Sequence, residues 1–308
     1  MNTLQSPKSL VMIRPWKFCP NPETAQDNAF QKNSSLSLKD VSADAKNEFD
    51  KAVDVLTSKG ITIHVFDDYG DNFTPDSVFP NNWFSTHAGG HIAIYPMASL
   101  NRRRERRSDI IEMLKSEYRV QDVIDYSGLE WDDLFLEGTG AMVLDHVNKI
   151  AYTAKSNRAS EIILERFCTT FHFEPICFDT KDKNGIPIYH TNVMMCVGTQ
   201  FALICLKMIA DEQRREEVKE RLEESGKVVI DLSLDQIDQF AGNAIEVTGN
   251  DNSKYLLMSQ TAFKSLNNTQ KEIINKYVEI VPLEIPTIEL AGGSVRCMMA
   301  GIHLSKRK

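Results

Sequence analysis

Little in this chain of 308 residues invites a metal, a disulfide framework or a membrane. Its six cysteines, Cys19, Cys168, Cys177, Cys196, Cys205 and Cys297, are scattered and include no Cys-x-x-Cys pair, which argues for reduced thiols and against a zinc site. Of seven histidines, His87 and His91 alone come four apart, with Gly89 and Gly90 between them, so no helical ligand pair forms and both read as surface residues. No uninterrupted apolar run reaches the roughly 18 residues that a membrane span needs, and residues 1–10 carry no apolar signal core, which gives an expectation of a cytoplasmic protein. Positive charge is in short supply: 35 Lys and Arg stand against 43 Asp and Glu, a net charge of -8. That excludes general attraction to nucleic acid or anionic membranes. The one basic cluster, Arg102-Arg103-Arg104-Glu105-Arg106-Arg107, reads as a solvated face. Neither metal nor cofactor is expected.

What is present is a period. Hydrophobic residues make up 42% of the chain, enough for a sizeable core, and one domain spanning 1–308 is expected. Helical spacing over 45–59, 108–117, 159–169, 214–224 and 266–276 leads each time into a short apolar strand, at 61–66, 120–124, 171–178, 228–232 and 278–283. After each unit come a loop and two further strands: 78–85 with 92–95, 140–144 with 150–153, 188–197 with 201–205, 244–247 with 255–258, and 295–300 with 302–304. Five copies of such a unit mean a repeat architecture, and the leftover strand 11–14 suits a ring that it closes.

Where the first strand of each pair meets its loop stand Asn82, Glu137, His190, Asn243 and Cys297. Their intervals are 55, 53, 53 and 54 residues (137 − 82, 190 − 137, 243 − 190, 297 − 243). Equivalent positions in a closed repeat face one axis, so a thiol, an imidazole, a carboxylate and two carboxamides are expected at one centre. A thiolate is a good nucleophile, an imidazole can relay its proton, and a carboxylate orients the imidazole and raises its basicity. Singly, each residue has a plain structural reading: a small buried hydrophobe, a satisfied core histidine, a loop acid. Asn243 reads equally as a substrate contact or a turn cap.

Gly292-Gly293-Ser294-Val295-Arg296-Cys297-Met298 resembles the nucleophile loop of the guanidino-group modifying enzymes, which include arginine deiminase, dimethylarginine dimethylaminohydrolase and the amidinotransferases. Leu136-Glu137-Gly138-Thr139-Gly140 is similar to their Glu/Asp-Gly-Gly-Asp motif, Ser156-Asn157-Arg158 to Ser-x-Arg, and His190-Thr191-Asn192 to His-x-Asp. The stretch Pro75-Asp76-Ser77-Val78-Phe79-Pro80-Asn81-Asn82 resembles Pro-Asp-x-x-Phe-x-Glu-Asp. Asn21-Pro22-Glu23-Thr24, taken with Phe79 to Trp83, looks most like the citrulline-utilisation branch. The resemblance implies a five-bladed α/β propeller (pentein) of ββαβ units and a covalent intermediate on Cys297. His190 would protonate the leaving amine, and Asp76 and Arg158 would hold the amino-acid end of the substrate. Arg106 or Arg107 would replace or assist Arg158.

The chain departs from that pattern where arginine deiminase grips a guanidinium with two aspartates, for here those positions are Asn82 and Asn192, and the terminal aspartate of Glu-Gly-Gly-Asp is Gly140. Neutral carboxamides forfeit charge-assisted pairing with a cation but can both donate to and accept from a ureido group. The expectation is therefore a ureido amino acid of the citrulline type, cleaved to ornithine, ammonia and carbon dioxide. A guanidino hydrolase or an amidinotransferase is the alternative, and a non-catalytic amino-acid-binding propeller is a third reading. Trp16, Trp83 and Trp131 read as packing or pocket wall, and the Met194-Met195 and Met298-Met299 runs as buried strands. The sequence leaves open the oligomeric state, a homo-oligomer included, and whether 21–37 closes over the site.

Overall fold

The fivefold period becomes five three-stranded sheets in a computed structural model, which describes residues 4–26, 28–32 and 37–307. The first four blades along the chain are β3 (Phe84–His87), β4 (His91–Ile94) and β5 (Asp122–Asp125), then β6 (Met142–Asp145), β7 (Ile150–Ala154) and β8 (Glu174–Phe178). These are followed by β9 (Met195–Val197), β10 (Phe201–Ile204) and β11 (Val228–Asp231), and by β12 (Ile245–Thr248), β13 (Lys254–Ser259) and β14 (Glu279–Leu283). In each, the first two strands form an antiparallel hairpin and a helical crossover returns the third parallel to the second. The fifth blade joins the two ends of the chain. β15 (Ala300–Gly301) pairs antiparallel with β1 (Ser9–Pro15), Val11 opposite Ala300, and β1 pairs parallel with β2 (Thr62–Asp68). The fold is an α/β propeller of five ββαβ blades, closed by the strand expected to close it.

The central strands are buried throughout, Leu10–Ile13 and Phe201–Ile204 among them, as parallel strands covered by helices must be. The crossover helix Leu38–Ser58 starts seven residues earlier than expected because Ser37 caps it, its hydroxyl accepting from the Asp40 N–H at 3.2 Å. Its stripe Val41, Ala45, Phe49, Ala52 and Leu56 is buried against the sheet. Truncating Phe49 or Leu56 to alanine should cost about 2–5 kcal/mol.

Several strands begin later than the apolar runs imply, because the chain coils first. Pro80–Asn82, Gly138–Ala141 and Thr191–Met194 are short helical turns. Gly138 has φ +46°, and a Cβ there would lie 2.5 Å from the Asn81 carbonyl oxygen. Residues 302–304 form no strand, since β1 has taken the place beside β15. The intervals of 53 to 55 also conceal a slip: the predicted residues precede their strands by 2, 5, 5, 2 and 3 positions (84 − 82, 142 − 137, 195 − 190, 245 − 243, 300 − 297).

Other readings change as well. His87 is buried, its Nε2 2.7 Å from the Ser85 hydroxyl and its ring against Phe167, Phe171 and Phe173, because β3 turns it inward onto the helix Glu161–Phe171. Trp83 is buried as expected, but Trp131 is 92% exposed, and Trp16 is an exposed residue donating to Asp67. Both methionine runs are buried. All six cysteines are free.

Candidate active site

The turns that precede the inner strands carry the predicted residues into one buried region. Glu137 and His190 occupy the same place in successive blades, each just before a four-residue helical turn. Glu137 is fully buried, and its Oε2 lies 2.8 Å from His190 Nε2, 3.6 Å from Arg158 Nη1 and 3.9 Å from Arg102 Nη1. Burial alone would push its carboxyl up. Arg158, His190 and Arg102 together outweigh that and hold it well below the usual carboxylate range. The carboxylate fixes Nε2 of His190 as the protonated nitrogen and leaves Nδ1 as the acceptor, facing Gly140. Burial lowers the His190 pKa, with Glu137 opposing, so the imidazole is neutral at neutral pH.

Gly140 explains the missing aspartate of the motif. A Cβ there would lie 2.2 Å from the Asn82 carboxamide and 2.9 Å from His190 Nδ1, so no side chain fits. With its oxygen turned to Arg102, Asn82 accepts from Nη1 at 2.8 Å and Nη2 at 3.2 Å, and donates to Asn81 Oδ1 at 3.1 Å. Arg102 also makes a bidentate pair with Glu105 at 2.9 and 3.0 Å. Burial raises Glu105 to about 7 against the pull of Arg102. Asp76 accepts from Asn21 at 2.8 Å through Oδ2, while its Oδ1 is buried without a partner among the described residues. Burial pushes Asp76 up, and Arg102 and Asn21 oppose.

Cys297 is buried and receives two amide donors at its sulfur, Asn192 Nδ2 and Asn243 Nδ2, each at 3.3 Å. Such donors stabilise a thiolate more than a thiol. Asn243 also accepts from the Arg296 N–H at 3.0 Å and donates to the Asn192 carbonyl at 2.9 Å, so it ties the cysteine turn to the segment bearing His190. These bonds make Asn243 a brace of the cysteine turn. A second tie is the Tyr189 hydroxyl, 2.5 Å from the Gly292 carbonyl oxygen. Gly292, at φ +80°, is also where Asn28 presses closest, 2.4 Å from the Cβ position, with Asn28 donating to the Ala291 carbonyl. Thus the described part of 21–37 lies against the cysteine loop, and Lys32 N–H meets the Leu290 carbonyl at 2.9 Å. Residues 27 and 33–36 lie outside the described residues.

Of the predicted set, Glu137, His190 and Arg158 are in direct contact, Asn192, Asn243 and Cys297 form the adjoining cluster, and Asn82 and Asp76 meet through Arg102. Arg106 does not join them. It pairs with Glu130 at 2.5 and 3.0 Å, and Arg107 pairs with Asp109. The inward arginine of the basic run is Arg102, with Glu105 one turn on, and both are buried. Spacing was the available signal: at i and i+3 the two share one face of a turn while Arg104 points outward. Asn21 was the other missed residue.

A propeller of five ββαβ blades places the chain in the pentein class. Within it, the model of the eukaryotic N,N-dimethylarginine dimethylhydrolase family matches residues 14–304, and the chain belongs to that family. No curated relative matches by sequence. Solved structures are similar in fold. ArgZ, an arginine dihydrolase from the ornithine-ammonia cycle in cyanobacteria, superposes with a TM-score of 0.71 at 15% identity over 95% of this chain, which spans 40% of ArgZ. AgrE bound to L-arginine gives 0.73 at 14% identity, with 96% of this chain and 40% of AgrE covered. A dimethylarginine dimethylaminohydrolase adduct gives 0.64 at 14% identity, covering 96% and 99% of the two chains.

Proposed function

We propose that this protein hydrolyses the C–N bonds of a ureido amino acid of the citrulline type through a covalent intermediate on Cys297. The observation that carries the reading is the commitment of Asn82. The carboxamide that stands in place of a guanidinium-gripping aspartate already accepts from the chain's own Arg102. Glu137 is likewise shared among His190, Arg158 and Arg102. A cationic substrate would have to compete for acceptors that two arginines have filled, whereas a neutral ureido group needs no counter-charge. Asn192 Oδ1, buried without a partner among the described residues, supplies an acceptor for a ureido NH2.

In this mechanism the Cys297 thiol gives its proton to Nδ1 of His190, and the thiolate, stabilised by Asn192 and Asn243, attacks the ureido carbon. The tetrahedral intermediate expels an amine, which takes its proton from His190. The neutral imidazole then removes a proton from water, which attacks the thiocarbamate carbon and frees the thiolate. The carbamate falls apart, so citrulline and one water become ornithine, ammonia and carbon dioxide. Glu137 keeps the imidazole oriented and stabilises its cation. Asp76 Oδ1 is the acceptor for the substrate ammonium. The thiolate, imidazole and carboxylate supply the chemistry without metal or cofactor, and the free amino acid is met in the cytoplasm. The test is ammonia release from citrulline and from arginine at equal concentration; turnover of arginine alone would refute the reading.

A second reading has its own support. Asp76, Glu105 and Glu137 against Arg102 and Arg158 leave one buried negative charge in excess whenever Glu105 is ionised. An arginine substrate would balance it, and two successive hydrolyses at Cys297 would then give the same products, as the description of ArgZ as an arginine dihydrolase brings to mind. Arginine turnover that rises with pH, while citrulline turnover stays slower, would favour it.

A further inference from the structure

Residues near the site positions in all five blades line a second space. Thr86, Thr139, Cys196 and Glu246, one from each of four blades, and Arg296 and His303 from the fifth line a cavity of about 50 Å³. That volume holds a few waters or a small ion, not an amino acid. Neither Cys297, His190 nor Glu137 lines it, so it is distinct from the candidate active site.

Its charges do not balance. Arg296 makes one side-chain hydrogen bond among the described residues, from Nη1 to the Met299 carbonyl at 2.9 Å, and no carboxylate stands within ion-pairing distance of it there. Glu246 is the one acid on the wall, and it is committed elsewhere. Its Oε1 meets Lys254 Nζ at 3.2 Å and the Thr199 hydroxyl at 2.5 Å, and its Oε2 meets the Thr199 N–H at 2.6 Å. His146 also lines the cavity, stacked on His303 with ring centroids 3.8 Å apart, and its ring makes no hydrogen bond among the described residues. Burial, together with the positive charge of Arg296 and Lys149, pushes His303 down to about 4 and His146 well below the usual range. Burial lowers Arg296 itself to about 10. A guanidinium and two imidazoles that repel further positive charge, with no free acid among them, make a place that favours an anion.

We propose that the axial cavity binds a small inorganic anion, held by the guanidinium of Arg296 and the ring N–H of His146. Because the Arg296 N–H bonds Asn243 and the next residue is Cys297, an occupied cavity also braces the cysteine turn. Chloride and bicarbonate share the required size and charge; bicarbonate is also what carbon dioxide becomes in water. The proposal rests on the cavity alone and stands whichever substrate the thiol attacks.

The experiment is thermal unfolding of the full chain in sodium chloride, sodium bicarbonate and sodium gluconate at matched ionic strength and pH, with the 35Cl linewidth measured in parallel. The expected result is a saturable rise in Tm with chloride or bicarbonate and none with bulky gluconate. The rise should be roughly 5 °C at a hundredfold excess over Kd, with excess 35Cl broadening that a saturating competitor anion removes. Arg296→Gln should abolish both effects, and His146→Phe, which keeps the guanidinium and covers failure of the first variant to fold, should weaken them at least tenfold in Kd. Equal stabilisation by gluconate, no specific broadening, or full retention of the effect in either variant would overturn the proposal.

Discussion

His190 Nε2 stands 2.8 Å from Glu137 Oε2, a contact between residues 53 apart in sequence that hold the same position in neighbouring blades. Replacing Glu137 with Gln should lower kcat by about 10²–10⁴. It should also destabilise the fold, because Arg158 and Arg102 lose their shared acceptor, a loss on the order of 3–5 kcal/mol for a broken buried pair. Steady-state kinetics beside denaturant unfolding separates the two effects.

The same contact fixes a pH dependence. Burial lowers His190 below its ordinary 6.5 and Glu137 opposes this, so the base form persists into mildly acidic solution. The acid limb of kcat/KM should have its midpoint below 6.5, and Glu137→Gln, which removes the opposing partner, should move it lower still. A midpoint above 6.5 in the parent protein would contradict the assignment of this limb to His190.

Glu105 predicts a stability profile of opposite sign to that of Glu137. Its folded pKa, about 7, lies above its ordinary 4.5, so the fold favours the protonated form. That contribution is complete below about 4.5 and is lost as the pH rises through 7. Tm of the parent chain should fall between pH 5 and 8 relative to Glu105→Gln. Glu137, held low, contributes above its ordinary pKa and loses that contribution only in acid.

Asn192 and Asn243 each donate to the Cys297 sulfur at 3.3 Å. A hydrogen bond to a charged acceptor contributes roughly 1.5–3 kcal/mol, so either Asn→Ala change should slow alkylation of Cys297 by iodoacetamide about tenfold to a hundredfold at fixed pH. The measurement needs no substrate. The Asn243 variant should also loosen the turn, since the Arg296 N–H loses its acceptor.

Gly140→Ala sets the new methyl 2.2 Å from the Asn82 carboxamide and 2.9 Å from His190 Nδ1. Overpacking of this kind costs about 1–3 kcal/mol, and the displaced imidazole should cost more in kcat than the fold loses in Tm.

How much of this was legible depended on how local each signal was. The ring could be read because each blade repeats its own helix and strand pattern, and Glu137, His190 and Cys297 could be read because they end those patterns. Arg102 was lost in a run of five arginines, since a helical turn of four residues, Leu100–Arg103, decides which one faces inward. His87 reads as surface because nothing near it in sequence announces Phe167, Phe171 and Phe173, which arrive from another blade. The even intervals were a partial guide: they located residues that the fold gathers, while hiding that Glu137 and His190 sit three residues further from their strands than Asn82 and Asn243 do. The axial cavity had no sequence signal, for its walls come a few residues at a time from five blades.

The most direct test is mass spectrometry of the intact protein and its peptides after mixing with citrulline and quenching with acid. The account predicts a thiocarbamate adduct confined to the peptide bearing Cys297, absent after Cys297→Ser. Ammonia release without any adduct, an adduct on another cysteine, or activity retained in the serine variant would contradict it.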